Sequence, residues 1–277
     1  MPGHHTDHLA HSGHSTHSCS QYERSQVVVD CPGKMAWSIG ADALLSDGGG
    51  DGALLVTAHP DDESMFFAPT VLALKGVLRL HVLCLSTGDY DGLGRVRAVE
   101  IVHACAVLGV PAERVTILDE PDVRDGPHTN WPAARVAHLV QRELELRSLG
   151  RVITFDGCGV TNHPNHVAVH LGVRSLVDTN SGMDAADSPR VVTPRTYVLH
   201  STGPLRRLMG WWDLVPTILA ILWHLRDNSS PRLCCCVNLR PWACHAAMRA
   251  HKSQYVWYRR LYVMLSRYVF VNTLEAL

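Results

Sequence analysis

Between residues 53 and 178 the chain alternates short apolar runs with longer segments of helical spacing, four times over. "ALLVTA" (53–58), "LRLHVLCLS" (78–86), "RVTILD" (114–119) and "RVITFD" (151–156) have the length and apolar density of strands buried on both faces. They are followed by "ESMFFAPTVLALK" (63–75), "GRVRAVEIVHACAVLG" (94–109), "PAARVAHLVQRELELRSLG" (132–150) and "PNHVAVHLGVRSLVD" (164–178), helical in pattern and interrupted once by Pro69. This order predicts an α/β fold with a Rossmann-like, mostly parallel sheet flanked by helices. Sites in such sheets gather beyond the carboxyl ends of the strands.

The 277 residues suit one sizeable domain with an appendage. The formal net charge of −1 conceals a split. Residues 1–189 carry 13 Lys and Arg against 23 Asp and Glu, and residues 190–277 carry 12 against 3, so −10 and +9 sum to −1. An acidic body with a basic tail predicts that the tail meets something anionic. The nine cysteines are odd in number and include the run at Cys234–Cys236, which points to free thiols in a reducing compartment. The opening residues lack the apolar stretch of a secretory signal. They carry His5, His8, His11, His14 and His17 at spacings of three, and residues 1–52 are expected to be a His-rich, Gly-containing disordered segment. Residues 53–200 are then expected to be the α/β domain. Residues 201–277 form a helical, basic and aromatic-rich extension of the same unit.

Two clusters of chemically active residues stand beyond strand ends. "TAHPDDES" (57–64) places His59, Pro60, Asp61, Asp62 and Glu63 after the first apolar run. Helix capping accounts for one or two of these acids. It accounts neither for His59 nor for three crowded carboxyls, whose repulsion a cation relieves. "TNHPNHVAVH" (161–170) follows the fourth run and sets His163 and His166 three apart at a helix start. Two such clusters on one rim predict a metal site.

An apolar strand, then A-H-P-D-D-E, then a later H-x-x-H resembles the LmbE-like zinc de-N-acetylase superfamily. "HPDDESMFFAPTVLAL", "TFDGCGVTNHPNHVAVH" and "HKSQYVWYRRLYVMLSRYVFVNTLEAL" narrow the resemblance to the N-acetylglucosaminyl-phosphatidylinositol de-N-acetylase family, from about Ala53 onward. The resemblance implies Zn2+ held by His59, Asp62 and His166, with other divalent metals conceivable. It casts Asp61 as general base and His163 as the group that stabilises the oxyanion and protonates the leaving amine. It implicates Arg97 and Asp122 in substrate contact and Glu100 in a supporting role, although an exposed i,i+3 ion pair is the simpler reading of Arg97 and Glu100. The implied reaction releases acetate from N-acetylglucosaminyl-phosphatidylinositol, early in glycosylphosphatidylinositol anchor synthesis, at the cytosolic face of the endoplasmic reticulum membrane. Two alternatives are a soluble deacetylase of another small N-acetylglucosaminide and a non-catalytic metal-binding scaffold. The family is expected to carry a membrane-spanning segment ahead of its catalytic domain, where this sequence has the histidine-rich stretch.

The expected partners are the glycolipid and a membrane surface. No recognition motif supports nucleic acid. In "LMGWWDLVPTILAILWHL" (208–225), Asp213 and Pro216 leave about ten unbroken apolar residues against the ~20 that span a bilayer, so a buried or membrane-dipping helix is expected. The basic, aromatic, acid-free stretch 249–270, with Arg259 and Arg260, is expected either to seat on anionic lipid or to pack as a basic helix on the acidic body.

Overall fold

The computed structural model describes residues 36–39, 50–126, 129–181, 193–226 and 233–277; the histidine-rich opening lies outside the described residues. Its strands are β1 (Ala36–Ile39), β2 (Gly52–Thr57), β3 (Arg79–Cys84), β4 (Val115–Ile117), β5 (Arg151–Phe155), β6 (Arg195–Leu199), β7 (Leu233–Asn238) and β8 (Val271–Ala276). They form one sheet in the order β1-β7-β8-β6-β5-β2-β3-β4. Strands β6, β5, β2, β3 and β4 are mutually parallel. Strand β8 runs antiparallel between β6 and β7, and β1 is antiparallel on β7, so residues 36–39 of the segment expected to be disordered join the sheet instead.

Every residue of β2 is buried, because its alternate side chains enter two different cores. Leu55 packs on one face with α1 (Asp62–Met65), α2 (Ala68–Leu74) and α3 (Gly94–Leu108). Leu54 and Val56 pack on the other with α4 (Ala133–Arg147) and α6 (Pro164–Ser181), the latter preceded by the short α5 (Gly159–Asn162). A continuous apolar run is what a strand covered on both faces requires. The same alternation explains the cysteine run: Cys234 and Cys236 enter the first core, and Cys235 meets Ile221 on the opposite face.

The basic C-terminal region holds the expected helices, α7 (Pro204–Arg207), α8 (Leu214–Arg226), α9 (Pro241–Ala250) and α10 (Trp257–Leu265). It also adds β7 and β8 to the sheet, so it is part of the main core and more than a helical appendage. The sequence pattern does not announce these two strands, because half of β7 is cysteine and β8 carries Asn272, Thr273 and Glu275, a weak apolar signal. From β2 the chain proceeds to β3 and β4 on one side, and from β5 to β6 on the other. Strand order therefore reverses between β2 and β5, and a crevice opens beyond their carboxyl ends.

Candidate metal and catalytic centre

The turn after β2 is folded by its own acids. Asp62 Oδ2 accepts the backbone N–H groups of Ala58 (3.0 Å) and His59 (2.9 Å). Glu63 Oε2 accepts that of Asp61 at 3.1 Å. Asp61 is held at φ 111°, an uncommon conformation for a residue with a Cβ. The third carboxyl, Glu63, is completely buried and faces His251 Nε2 at 2.7 Å. The three acids thus have three different surroundings.

The turn after β5 is equally specific. Asp156 accepts the N–H groups of Cys158 and Gly159 and binds Ser201, whose hydroxyl accepts the Val160 N–H at 2.8 Å. Val160 adopts φ 63°, unusual for a β-branched residue. Gly159 also has positive φ, and a Cβ there would approach the Cβ of His166 to 2.6 Å. This close passage fixes the His166 ring: Nδ1 bonds the Gly159 carbonyl oxygen at 3.0 Å, and the ring stacks on Phe155 at 4.1 Å between centroids.

Across the crevice, one nitrogen from each of His59, His163 and His166 lies within 4.8 Å of the others. Asp62 Oδ1 is 3.2 Å from His166 Nε2, and Asp62 Oδ2 is 3.9 Å from His59 Nδ1. Nitrogen and carboxylate donors converging in this way suit a divalent cation such as zinc. The outward-facing ring atoms have partners of the kind that orient metal-ligating histidines. His59 Nε2 lies 3.1 Å from Asp125 Oδ1 and 2.9 Å from Asn165 Nδ2. His163 Nδ1 accepts the Asn165 N–H at 3.3 Å, leaving the proton of the neutral ring on Nε2.

Charge is sharply partitioned. Burial alone would raise the Asp62 pKa, but the His166 and His59 imidazoles outweigh it and hold the carboxyl well below the usual range. Burial raises Asp61 to about 6 against the pull of Arg259, whose Nη1 stands 2.8 Å from Asp61 Oδ2. Burial and the adjacent His166 and His59 rings push His163 down to about 4. Burial opposes the charge on His59, yet Asp125 and Asp62 raise its pKa.

The expected residues His59, Asp61, Asp62, His163 and His166 are brought together. Arg97 stands beside them, on Asp91 at 2.7 Å and 3.9 Å from Asp125. It does not pair with Glu100, which is buried and accepts the Ser253 N–H (2.8 Å) and hydroxyl (2.6 Å). Glu100 therefore supports the C-terminal segment, in place of an exposed i,i+3 pair. Asp122 is 61 % exposed and faces Arg135 Nε at 3.4 Å. The acid that this loop brings to the imidazoles is Asp125, three residues beyond the Asp122 that the resemblance implicates. Arg259, assigned to lipid on composition, is turned inward to Asp61 and Gln254. Beside Asp125 opens a polar cavity of about 250 Å³, lined by Ser86, Thr87, Asp89, Asp119 and Arg124 among others.

The family described as PIG-L, GlcNAc-PI de-N-acetylase, matches residues 54–177. The N-acetylglucosaminyl-phosphatidylinositol de-N-acetylase of Bos taurus is 37 % identical over 234 residues, covering 83 % of this chain and 85 % of the bovine protein. A probable enzyme of the same name from Schizosaccharomyces pombe is 34 % identical over 232 residues, 80 % of this chain and 85 % of its own. Among solved structures, N,N'-diacetylchitobiose deacetylase from Pyrococcus horikoshii shares the fold with a TM-score of 0.50 at 15 % identity, over 85 % of this chain and 89 % of that one. With the strand-end histidines and acids in place and this similarity running over most of both chains, the protein belongs to the GlcNAc-PI de-N-acetylase family.

Proposed function

We propose that this protein is a zinc-dependent hydrolase that removes the N-acetyl group from N-acetylglucosaminyl-phosphatidylinositol. The products are acetate and glucosaminyl-phosphatidylinositol, in an early step of glycosylphosphatidylinositol anchor synthesis. The observation that carries the chemistry is the meeting of the two strand-end turns at the reversal of strand order, with His59, His163 and His166 within 4.8 Å of one another. The family relationship carries the substrate.

His59, Asp62 and His166 are the proposed metal ligands. Zinc held by them would supply a Lewis acid that polarises the amide and makes water a better nucleophile. Asp61 adjoins a ligand without being one, and takes the proton from the attacking water. Attack on the amide carbon generates an oxyanion, and collapse breaks the C–N bond. His163, with its proton on Nε2, steadies the oxyanion and helps relay to the departing amine the proton that Asp61 takes from water, so that neither side chain is changed at the end of the cycle. Asp125 holds His59 in orientation, and Arg97 stands behind Asp125. The acid-lined cavity beside them suits a ligand rich in hydroxyl groups, as a sugar joined to inositol is.

We place the enzyme at the cytosolic face of the endoplasmic reticulum membrane. The described cysteines are all free, which suits a reducing compartment. Incubation of purified protein with N-acetylglucosaminyl-phosphatidylinositol, with and without a chelator, tests the function. Chelator-sensitive acetate release is the expected result. Release of acetate only from a small soluble N-acetylglucosaminide would overturn the substrate assignment.

A further inference from the structure

Helix α8 buries Ile221 against Cys235, Val237 and Val271, and partly buries Leu214. Its other side is bare: Val215, Ile218, Leu219, Leu222 and Trp223 are exposed, Leu219 at 62 % and Trp223 at 74 %. The turn before it exposes Trp211 and Trp212. Gly210, in that turn, stands over the Leu265 carbonyl at the end of α10, with 3.4 Å between a built Cβ and that oxygen. Helix α10 is likewise divided. Val263 is completely buried and Arg259 reaches Asp61, while Trp257, Tyr258, Leu261 and Met264 face outward. Large apolar side chains exposed together in this way mark an interaction surface.

We propose that the outward faces of α8 and α10 form one surface that lies in the headgroup region of a lipid bilayer, beside the mouth of the metal site. Three features select lipid as the occupant. Indole rings flank the aliphatic run at Trp211, Trp212, Trp223 and Trp257, and such rings prefer the headgroup level. The charge beside the surface is basic: neither α8 nor α10 contains an acid, Arg260 of α10 is exposed, and Arg206 and Arg207 of α7 are half-buried just before the tryptophan turn. Helix α8 has 13 residues, so it is about 20 Å long, and among the described residues no helix is long and apolar enough to cross a membrane. A helix of this kind lies in the interface with its apolar face sunk about 5–10 Å. Since the inner face of α10 touches Asp61, the centre then sits within a few turns of helix from the bilayer. A sugar headgroup reaches it there without its lipid being extracted. This last step rests on the proposed substrate; the surface itself does not.

The test is flotation of the full chain with vesicles of phosphatidylcholine and phosphatidylserine (roughly 7:3), at low salt and at about 0.5 M salt, where surface charges are screened beyond a few ångströms. The parent is expected to float under both conditions. The triple variant Leu219→Gln, Leu222→Gln, Trp223→Gln is expected to lose at least about tenfold in bound fraction, since each buried apolar side chain contributes on the order of 1 kcal/mol or more. The parent's tryptophan fluorescence should be quenched by brominated lipid, a readout independent of the variant's folding. Equal flotation of variant and parent, or no quenching, overturns the proposal. A parent that stays unbound but forms a dimer lost in the variant assigns the face to a second copy and also overturns it. Turnover separates the two ideas. The variant should hydrolyse a deacylated, water-soluble substrate like the parent and the vesicle-embedded lipid more slowly. Flotation without hydrolysis of either substrate by the parent would remove the proposed function and leave the surface standing.

Discussion

His251 Nε2 and Glu63 Oε1 meet at 2.7 Å with neither side chain exposed, joining the turn after β2 to a segment 188 residues later. The pair belongs to a wider brace. Gln254 Nε2 donates to the Pro60 carbonyl at 2.8 Å, Ser253 binds Glu100, and Asn272 takes the Thr70 N–H and hydroxyl and donates to the Phe66 carbonyl. The C-terminal segment therefore holds the site from behind as well as completing the sheet.

Removing one partner of a buried pair strands the other, at about 3–5 kcal/mol. His251→Gln should lower thermal stability by that order and reduce turnover through the displaced turn. Burial opposes the imidazolium, but Glu63 outweighs it and raises the His251 pKa. The pair's contribution is thus full below the unfolded histidine value, about 6.5, and fades as pH rises through the higher folded value. Denaturant unfolding across pH should show the gap between parent and variant narrowing on the alkaline side. A gap that widens there would contradict the charged pair.

His59, Asp62, His163 and His166 were legible in the sequence because each cluster is local and each follows a strand whose carboxyl end could be inferred. The parallel sheet was legible for the same reason, through the repeating apolar runs. What was not legible depends on contacts across the fold. Nothing near Glu63 announces His251, and Asn165 reads as a spacer between two histidines until its side chain is found on His59. Arg259 lies in a basic, aromatic stretch whose composition resembles a membrane tail. Only helix packing shows which of its arginines faces inward.

Asp125→Asn tests the orientation of His59. Partners behind a metal-bound histidine change metal affinity by about 10–100-fold when replaced. The variant should bind zinc more weakly by that factor in a competition titration, with little change in unfolding midpoint. Unchanged zinc affinity would reduce Asp125 to a substrate contact.

The three clustered imidazoles make the ligand set a question for measurement. Replacing His59, Asp62 or His166 by Ala should remove one equivalent of bound metal together with activity. His163→Ala should keep that equivalent and lose turnover. Metal analysis of the purified variants decides the matter, and loss of metal from His163→Ala would move His163 into the ligand set.

Asp61→Asn keeps the shape of the side chain and removes its basicity. Metal content should hold while the rate falls by roughly 10²–10⁴, the usual contribution of a positioned base. Near-normal acetate release would take Asp61 out of the mechanism.

Arg259 and Arg260 are adjacent in sequence and face different surroundings. Arg259 Nη1 stands 2.8 Å from Asp61 Oδ2 and also bonds Gln254. Arg260 is exposed, its Nε on the Tyr255 carbonyl at 3.0 Å and its guanidinium over the Tyr255 ring. A charge-assisted hydrogen bond contributes about 1.5–3 kcal/mol. Arg259→Gln should therefore lower kcat/KM by about 10–100-fold on a water-soluble substrate, leaving attachment to anionic vesicles intact. Arg260→Gln should do the reverse: a basic side chain near anionic lipid contributes about 1 kcal/mol, so vesicle affinity falls several-fold at low salt and soluble turnover stays. Paired turnover and vesicle-binding measurements on the two variants check the division. If Arg259→Gln weakened vesicle binding alone, its contact with Asp61 would have no part in the reaction.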